Sequence, residues 1–512
     1  MDQQKPTSLF ADAQRDWADI GGDKSLFING KNGDFPKNPK QWERADGILF
    51  LTYGGLSHSP RNKETTNLDT IVSWLGKDFD GLIAFDEAHE MGNAISLKGK
   101  RGTKQPSQKA LAGIELQKRL PNARIVYVSA TGATEVSNLA YATRLGLWGK
   151  GTAFANVREF VDKIGSSGLA AMELVSRDLK ASGSYLARSI SYDDVKYDTL
   201  EHKLTRSQRT IYDTMSEAWQ VVLQNVNEAL SLTGQQNNGK SRGSALSTFY
   251  SYLQSFYNQV LTSMAMPSVV EDIQKQLDDG KSVVLQIVNT NEAQQDRAKK
   301  KAQEEGLSLE DLDMTPRDML LQYLEKSFPT QVYEEYEDDN GNIKSRPVFD
   351  SKGNPVKDHQ AEAMRDALID RVKQMSVPDG ALDILLNAFG TENVAEVTGR
   401  SSRVVYKKDA SGNSVRVEER RSSSARDADT TAFQNGDKRI LVFSQAGGTG
   451  KSYHADLRAK NQQQRVHYLI QPGWEAAKAT QGFGRTHRSN QASAPIFKLV
   501  TTDVKGHKRF IS

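Results

Sequence analysis

The chain has no cysteine in its 512 residues. That excludes disulfides, thiolate zinc sites and cysteine nucleophiles together. Histidine is scarce, with eight residues, and none takes a metal-ligand spacing such as H-E-x-x-H. No apolar run is long enough to span a bilayer, and the start, Met1-Asp2-Gln3-Gln4-Lys5-Pro6, has no signal-peptide core. A cytoplasmic location without a membrane partner is therefore expected. Excess charge is also missing: 67 Lys and Arg stand against 64 Asp and Glu, leaving +3. Net charge thus says little about nucleic acid, and any basic groove has to be local. What is left is a polar composition, 37% hydrophobic and 26% charged, in a chain long enough for two or three domains.

Periodicity lays out the elements. Residues 46–53 form a short apolar run ending at Gly54-Gly55, a strand followed by a turn. Leu68, Ile71, Val72 and Leu75 mark a helix, and Gly81-Leu82-Ile83-Ala84-Phe85 reads as a buried parallel strand. Residues 108–120 read as a helix and 124–131 as another strand. Strands alternating with helices predict a doubly wound parallel sheet, whose chemistry sits at the carboxyl ends of its strands. Residues 158–230 read as mostly helical, 234–243 as a glycine-rich loop or linker, and further helix runs to about Leu277. A second alternating unit begins at Lys281–Val288 and resumes at Lys438–Ser444 and Val466–Ile470. Between them residues 292–436 read as a polar insertion, with hairpin turns at Asp339–Asn342 and Ser411–Asn413.

Two stretches carry the chemistry. Asp86-Glu87-Ala88-His89 follows the apolar run, so two carboxylates and a histidine stand at a strand end. An Asp there suits Mg²⁺, held through its waters, and the adjacent Glu suits polarising an attacking water. About 40 residues on, Ser129-Ala130-Thr131 closes the next strand, where hydroxyls can bond to His89; by itself this triplet is equally a helix N-cap. Gln481, Gly484, Arg485 and Arg488 form Q-x-x-G-R-x-x-R, whose arginines share one face if the segment is helical. Paired guanidinium groups suit the charge that develops on a γ-phosphate. The bland alternatives are a solvated acidic loop and a basic surface patch. Taken together, the two stretches predict an ATP-driven motor with its active site between two domains.

Gly447-Gly448-Thr449-Gly450-Lys451-Ser452 invites another reading, because it ends like the P-loop G-x-x-x-x-G-K-[ST]. The first glycine of that pattern is Gln445 here, and the acidic pair precedes the loop by far instead of following it. A loop whose N–H groups and Ser452 reach a nucleotide or nucleic-acid backbone fits better. Trp474 and Phe483 read as packing residues.

The order of these blocks resembles the superfamily-2 helicases, and more closely the strawberry notch family with its bacterial and phage members. The match rests on Asp12–Trp17, Phe79–His89, Val126–Gly132, Gln286–Glu292, Ala395–Arg400 and Gly482–Gln491, and covers nearly the whole chain. The resemblance implies Asp86 as the Mg²⁺ carboxylate, Glu87 as the water-orienting base and Arg485 and Arg488 as arginine fingers. It further implies that Gln481 contacts the nucleotide or its water. Ser129 and Thr131 would couple hydrolysis to movement along nucleic acid, and Gly450, Ser452 and Asp456 would form the second-domain coupling loop. The family carries a P-loop lysine ahead of the first of these blocks. Here Asp12–Trp17 follows Met1 almost at once, so the expectation is a partial or split motor completed by an upstream polypeptide.

The expected fold is α/β, with two RecA-like lobes at residues 1–200 and 266–512, a helical connector at 201–265 and the insertion at about 292–436. The expected function is ATP- and Mg²⁺-dependent translocation or remodelling on nucleic acid, DNA by preference, in a helicase of phage or mobile-element type. Two rivals remain: a lobe pair that binds nucleic acid or a partner without turnover, and a P-loop phosphotransferase centred on Lys451.

Overall fold

The structure, a computed structural model, describes residues 8–30, 46–58, 66–99, 102–129, 135–187, 191–236, 239–288, 316–337, 343–375, 377–400, 402–408, 414–444, 451–471 and 476–509. It divides into two compact units, Met1–Ser189 and Ile190–Ser512. Both are α/β with parallel strands, as the alternation predicts.

In the first unit α1 (Ser8–Asp19) precedes β1 (Phe27–Asn29), which pairs in parallel with β2 (Ile48–Phe50). A single helical turn, α2 (Tyr53–Leu56), leads to α3 (Asn67–Leu75), whose start is fixed by a capping box between Thr66 and Asp69. Strand β3 (Leu82–Phe85) pairs in parallel with β6 (Arg124–Tyr127), and the small hairpin β4 (Leu97–Gly99) and β5 (Gly102–Lys104) lies between them in sequence. Helix α4 (Gln108–Arg119) is N-capped by Ser107 and buries Ala110, Gly113 and Leu116. These pack with Leu68, Ile71, Val72, Phe85, Ala88 and Met91 into one core. The strand expected as buried is so on one side alone: among the described residues Leu82, Val126 and Val128 on the other side are exposed. Helices α5 (Val157–Ser166) and α6 (Gly168–Ala181) complete the unit.

The second unit opens with a strand that the helical reading of 158–230 misses. Strand β7 (Lys196–His202) pairs in parallel with β16 (Ile496–Thr502) at the border of a six-stranded sheet. Its charged, mostly exposed sequence is that of an edge strand, which lacks the apolar run of a central one. Helix α7 (Arg206–Leu232) follows, then α8 (Gly239–Asp278), 40 residues long with Pro267 inside it. The stretch 239–243, expected as loop, is therefore its first turn. Tertiary packing of the downstream turns overrides the weak local propensity of glycine.

Strand β8 (Ser282–Ile287) enters the sheet, whose order is completed by β11 (Val394–Val397), β14 (Ile440–Ser444) and β15 (Arg465–Leu469) as β11-β14-β8-β15-β16-β7. Every pairing is parallel. Side chains alternate between two buried faces. Val283, Leu285, Ile440 and Val442 join Ala265, Met266 and Val269 of α8 on one side, while Val284, Leu441 and Phe443 meet Phe433 and Tyr453 on the other.

The stretch expected as a polar insertion is heterogeneous. Helices α9 (Arg317–Ser327) and α10 (His359–Lys373) build an aromatic-rich core with α7 and α8 around Trp219, Phe249, Phe256 and Tyr323. Strands β9 (Tyr333–Glu337) and β10 (Ile343–Pro347) form one antiparallel hairpin, and β12 (Ser402–Lys408) and β13 (Ser414–Arg420) the other, both where the turn residues predict them. Helix α11 (Ala381–Phe389) and β11, however, belong to the main sheet and its core. A four-residue strand with a glutamate inside it carries too little periodicity to separate it from an insertion. Helices α12 (Ser423–Asn435), α13 (Ala476–Phe483) and α14 (Lys505–Lys508) close the unit. No helix among the described residues is long and apolar enough to cross a membrane.

Candidate functional site

The acidic turn of the first unit is built by β3 and braced by β6. Val128 N–H donates to the Phe85 carbonyl at 2.9 Å, and Ala88 N–H donates to the Val128 carbonyl at 2.8 Å. The chain must therefore reverse sharply at Asp86–Glu87. Glu87 takes φ 48° and ψ 46°, the left-handed region, one of two non-glycine residues that do so among those described. Such strain at a strand end persists only where neighbours over-determine it. Here they do: Ala88 and Met91 of the following 3₁₀ turn are fully buried.

Asp86 stays exposed, and its Oδ1 accepts from the Glu87 N–H at 3.0 Å. Its carbonyl accepts from the Tyr53 hydroxyl at 2.8 Å. Burial, with Tyr141 and Asp86 nearby, holds that phenol well above its usual range, so it stays protonated and donates. The Tyr53, Phe85 and Tyr127 rings stack in series at 6.4 and 5.9 Å beneath the turn. Glu87 Oε2 lies 3.2 Å from His89 Nδ1, and the same nitrogen is 3.0 Å from Ser129 Oγ. The expected link between the acidic turn and the Ser129 strand is thus in place. Ala130 and Thr131 lie outside the described residues. Tyr53 escaped the sequence reading because its partner is 33 residues away and nothing local marks a hydroxyl as a donor to a distant carbonyl.

The arginine segment of the second unit is not helical where the arginines lie. Helix α13 ends at Phe483, and residues 484–488 form a turn in which Arg485 and Thr486 donate to the carbonyls of Gly482 and Phe483. The arginines consequently do not share a helix face. Arg485 is 8% exposed; its Nη1 donates to the Lys451 carbonyl at 2.7 Å and its guanidinium lies 6.0 Å from the Phe443 ring centre. Arg488 is exposed, and its Nε donates to the Gly484 carbonyl at 2.9 Å. Gln481 is half-buried on α13. Gly482 has a steric reason: a Cβ there would fall 2.1 Å from Gln286 Oε1 at the end of β8.

Residues 445–450 lie outside the described set, and with them the glycines of the presumptive P-loop ending, Gly450 included. Lys451 is described: its Nζ donates to Asp427 Oδ1 at 2.5 Å and to Thr430 Oγ1 at 3.3 Å. Its ammonium is engaged by α12. The Ser452 carbonyl accepts from Gln434 Nε2 at 3.1 Å. Asp456 accepts from Arg458, which holds its carboxyl down at about 2, and also from Asn490 Nδ2 at 3.0 Å. That last bond joins the stretch around Asp456 to the arginine segment. The sequence offered no signal for it beyond two polar residues 34 apart.

Buried behind the arginine segment, His467 is enclosed by Phe443, Phe483 and Phe497 and bonded through Nδ1 to Thr486 Oγ1 at 2.8 Å. Burial pulls its pKa down to about 3, so it is a neutral core residue.

Comparison with known proteins adds a lineage to this geometry. Residues 4–214 match the family described as P-loop containing NTP hydrolase pore-1, and residues 380–512 match the one described as the C-terminal domain on strawberry notch homologues. Protein strawberry notch homolog 1 of Rattus norvegicus is 31% identical over 98% of this chain and 44% of its own length. Protein FORGETTER 1 of Arabidopsis thaliana is 28% identical over 99% of this chain and 47% of its own length. Protein strawberry notch homolog 2 of Mus musculus is 30% identical over 91% and 39%. The chain therefore spans less than half the length of these relatives. Among solved structures, the Pyrococcus furiosus Hef helicase domain aligns over 99% of this chain and 87% of that one, at 11% identity and a TM-score of 0.37.

Proposed function

The chain belongs to the strawberry notch family, and from that premise we propose that it is the helicase-like core of an ATP-dependent translocase or remodeller acting on nucleic acid, with DNA as the preferred polymer. The observation that carries this reading is the strained acidic turn, where Glu87, His89 and Ser129 converge at the carboxyl ends of two parallel strands. Such a turn aims a carboxylate outward while tying it to a hydroxyl on the neighbouring strand. That arrangement suits orienting water and reporting on a nucleotide.

Asp86 is exposed and offers one hard carboxylate, which fits Mg²⁺, an ion that keeps most of its waters and takes the rest of its oxygens from phosphates. When bound, the ion would supply charge neutralisation on the phosphates. The chain's own residues do the rest: Glu87 orients the attacking water, His89 and Ser129 relay its state, and Arg488 meets the charge that develops on the γ-phosphate. Arg485 serves by fixing the backbone at Lys451.

No G-K-[ST] sequence lies on the N-terminal side of Asp86 in the 512 residues. In the proposed motor the phosphate-binding loop and its lysine come from a partner polypeptide. The exposed Leu82, Val126 and Val128 give such a segment an apolar sheet face to cover.

Nucleic-acid-stimulated ATPase activity tests the reading, measured on DNA and RNA with and without a polypeptide carrying the P-loop. Glu87→Gln is expected to cut turnover by about a hundredfold or more with little change in nucleotide binding. Unchanged turnover in that variant sinks the proposal. Lys451→Ala, by contrast, is expected to retain nucleotide binding; its loss would favour a phosphotransferase built on Lys451.

A further inference from the structure

One histidine of the arginine segment has no part in the reading above. His487, between Thr486 and Arg488, is 3% exposed. Its Nε2 lies 2.8 Å from the Ser191 carbonyl, and its ring lies 4.6 Å from that of Tyr192. A carbonyl only accepts, so Nε2 carries the proton and Nδ1 is left as an acceptor. Gln491 Nε2 fills it at 3.2 Å, and the Gln491 Oε1 accepts from the Arg488 N–H at 3.1 Å. Donors and acceptors agree at every step. The result is one directional chain from Ser191, through His487 and Gln491, to the backbone of Arg488.

The place where this chain begins matters. Ser191 and Tyr192 directly follow the boundary between the two units at Ser189 and Ile190, and lead into β7. At its other end the segment is anchored again: Leu457 N–H donates to the Asn490 carbonyl at 3.1 Å, Ala492 N–H to the Ala455 carbonyl at 2.7 Å, and Asn490 sits at φ 65° with its amide on Asp456. The arginine turn is thus held between residues 455–457 and the segment that follows the boundary between the units.

We propose that His487 is a positioning residue that couples this connecting segment to Arg488, so that movement of one unit relative to the other is felt at the arginine turn and the reverse. The mechanical link stands on the hydrogen bonds alone; its use in a nucleotide cycle rests on the function proposed above. The physical reason is economy of slack. A buried, tautomer-fixed imidazole with both nitrogens bonded cannot follow Ser191 without pulling Gln491, and Gln491 cannot shift without releasing the Arg488 amide.

Hydrogen–deuterium exchange on the full chain without nucleotide tests the link. Tyr192→Ala is expected to speed exchange across Arg485–Gln491 about tenfold while amides of β14 and β15 keep their protection. His487→Asn keeps an acceptor toward Gln491 but no longer reaches Ser191, and is expected to release the 191–195 amides. His487→Gln places an N–H where Nε2 stood and is expected to hold them. Unchanged exchange at Arg485–Gln491 in Tyr192→Ala overturns the proposal, as does equal behaviour of the Asn and Gln variants. A second arm reads the nucleotide cycle. With no native cysteine, Ala181→Cys and Glu228→Cys accept a dye pair reporting on the two units, and ADP–beryllium fluoride, added together with the polypeptide that carries the P-loop, is the probe. A distance change in the parent that is at least halved by His487→Asn, with binding of a fluorescent ATP analogue retained, is expected. A full response in His487→Asn overturns the coupling. No response in the parent counts against the ATP reading, while the exchange data still decide the link.

Discussion

Glu87 pays a backbone cost that a glycine would not. Its left-handed conformation disfavours any residue with a Cβ by about 1 kcal/mol, yet the position carries the carboxylate on which the proposed chemistry depends. Glu87→Gly is therefore expected to raise the unfolding free energy of the first unit by about 0.5–1 kcal/mol while abolishing turnover. Denaturant melts beside ATPase assays check both halves. A variant that is both less stable and inactive would show that the turn is merely a loop, shaped by its side chain's packing. Serine and glutamate types at strand ends were legible from the sequence. That one glutamate would adopt a positive φ was not, since the strain is imposed by the Ala88 and Val128 backbone bonds.

At the scale of elements, the second unit is decided by how closely α13 approaches β8. Gly482 faces Gln286, and the gap has no room for a methyl group. Gly482→Ala is expected to cost about 1–3 kcal/mol, by displacing either the helix or the Gln286 side chain. Gln286→Ala removes the obstructing amide, so the double variant should recover much of the loss. A double-mutant cycle in urea measures the coupling, and strictly additive effects would refute the close approach. Gly482 was visible in the sequence inside Q-x-x-G-R-x-x-R, two residues before the glycine of the pattern. Its partner was not visible, because the two residues meet only when a helix packs across a strand end. The same limit applies to the arginines: three residues apart suggests one helix face, but α13 stops at Phe483 and one guanidinium turns inward.

For the whole molecule, acid stability is set by ionisable groups enclosed in the second unit. Glu396 of β11 is fully buried with Arg400, 2.8 Å away, and with Arg403 at 3.1 Å. Burial alone would raise its pKa; the charges and hydrogen bonds of Arg400, with Arg421 and Thr398, outweigh it and hold the carboxyl at about 2. Its folded pKa lies below the unfolded one, so its contribution is complete above pH 4.5 and is lost as the pH falls toward 2. His467 and His507 act earlier. Burial lowers them to about 3 and about 4, so below pH 6.5 the unfolded chain takes up protons that the folded one refuses. Stability should decline in two stages, from pH 6.5 downward and again below 4.5. Urea midpoints between pH 7 and 5 check the first stage, which His467→Leu should flatten. Glu396→Ala leaves Arg400 only Asp383, at 3.2 Å, and Arg403 only Glu419, at 2.8 Å, as carboxylate partners, and is expected to cost about 3 kcal/mol at neutral pH. A loss below about 1 kcal/mol would mean that water reaches the cluster.

The amino-acid sequence by itself determined the α/β class, the strands at Leu82–Phe85 and Ile440–Ser444, the two hairpins and the candidate chemical groups. These follow from short-range rules of periodicity, turn chemistry and the valence of side chains. Tertiary structure alone decided that Lys196–His202 is a strand, that β11 belongs to the main sheet, that Arg485 is enclosed while Arg488 is exposed, and that His487 grips the connecting segment. Each of those depends on partners tens to hundreds of residues away, whose contact energies outweigh local propensity and leave no periodic trace in either partner's own sequence.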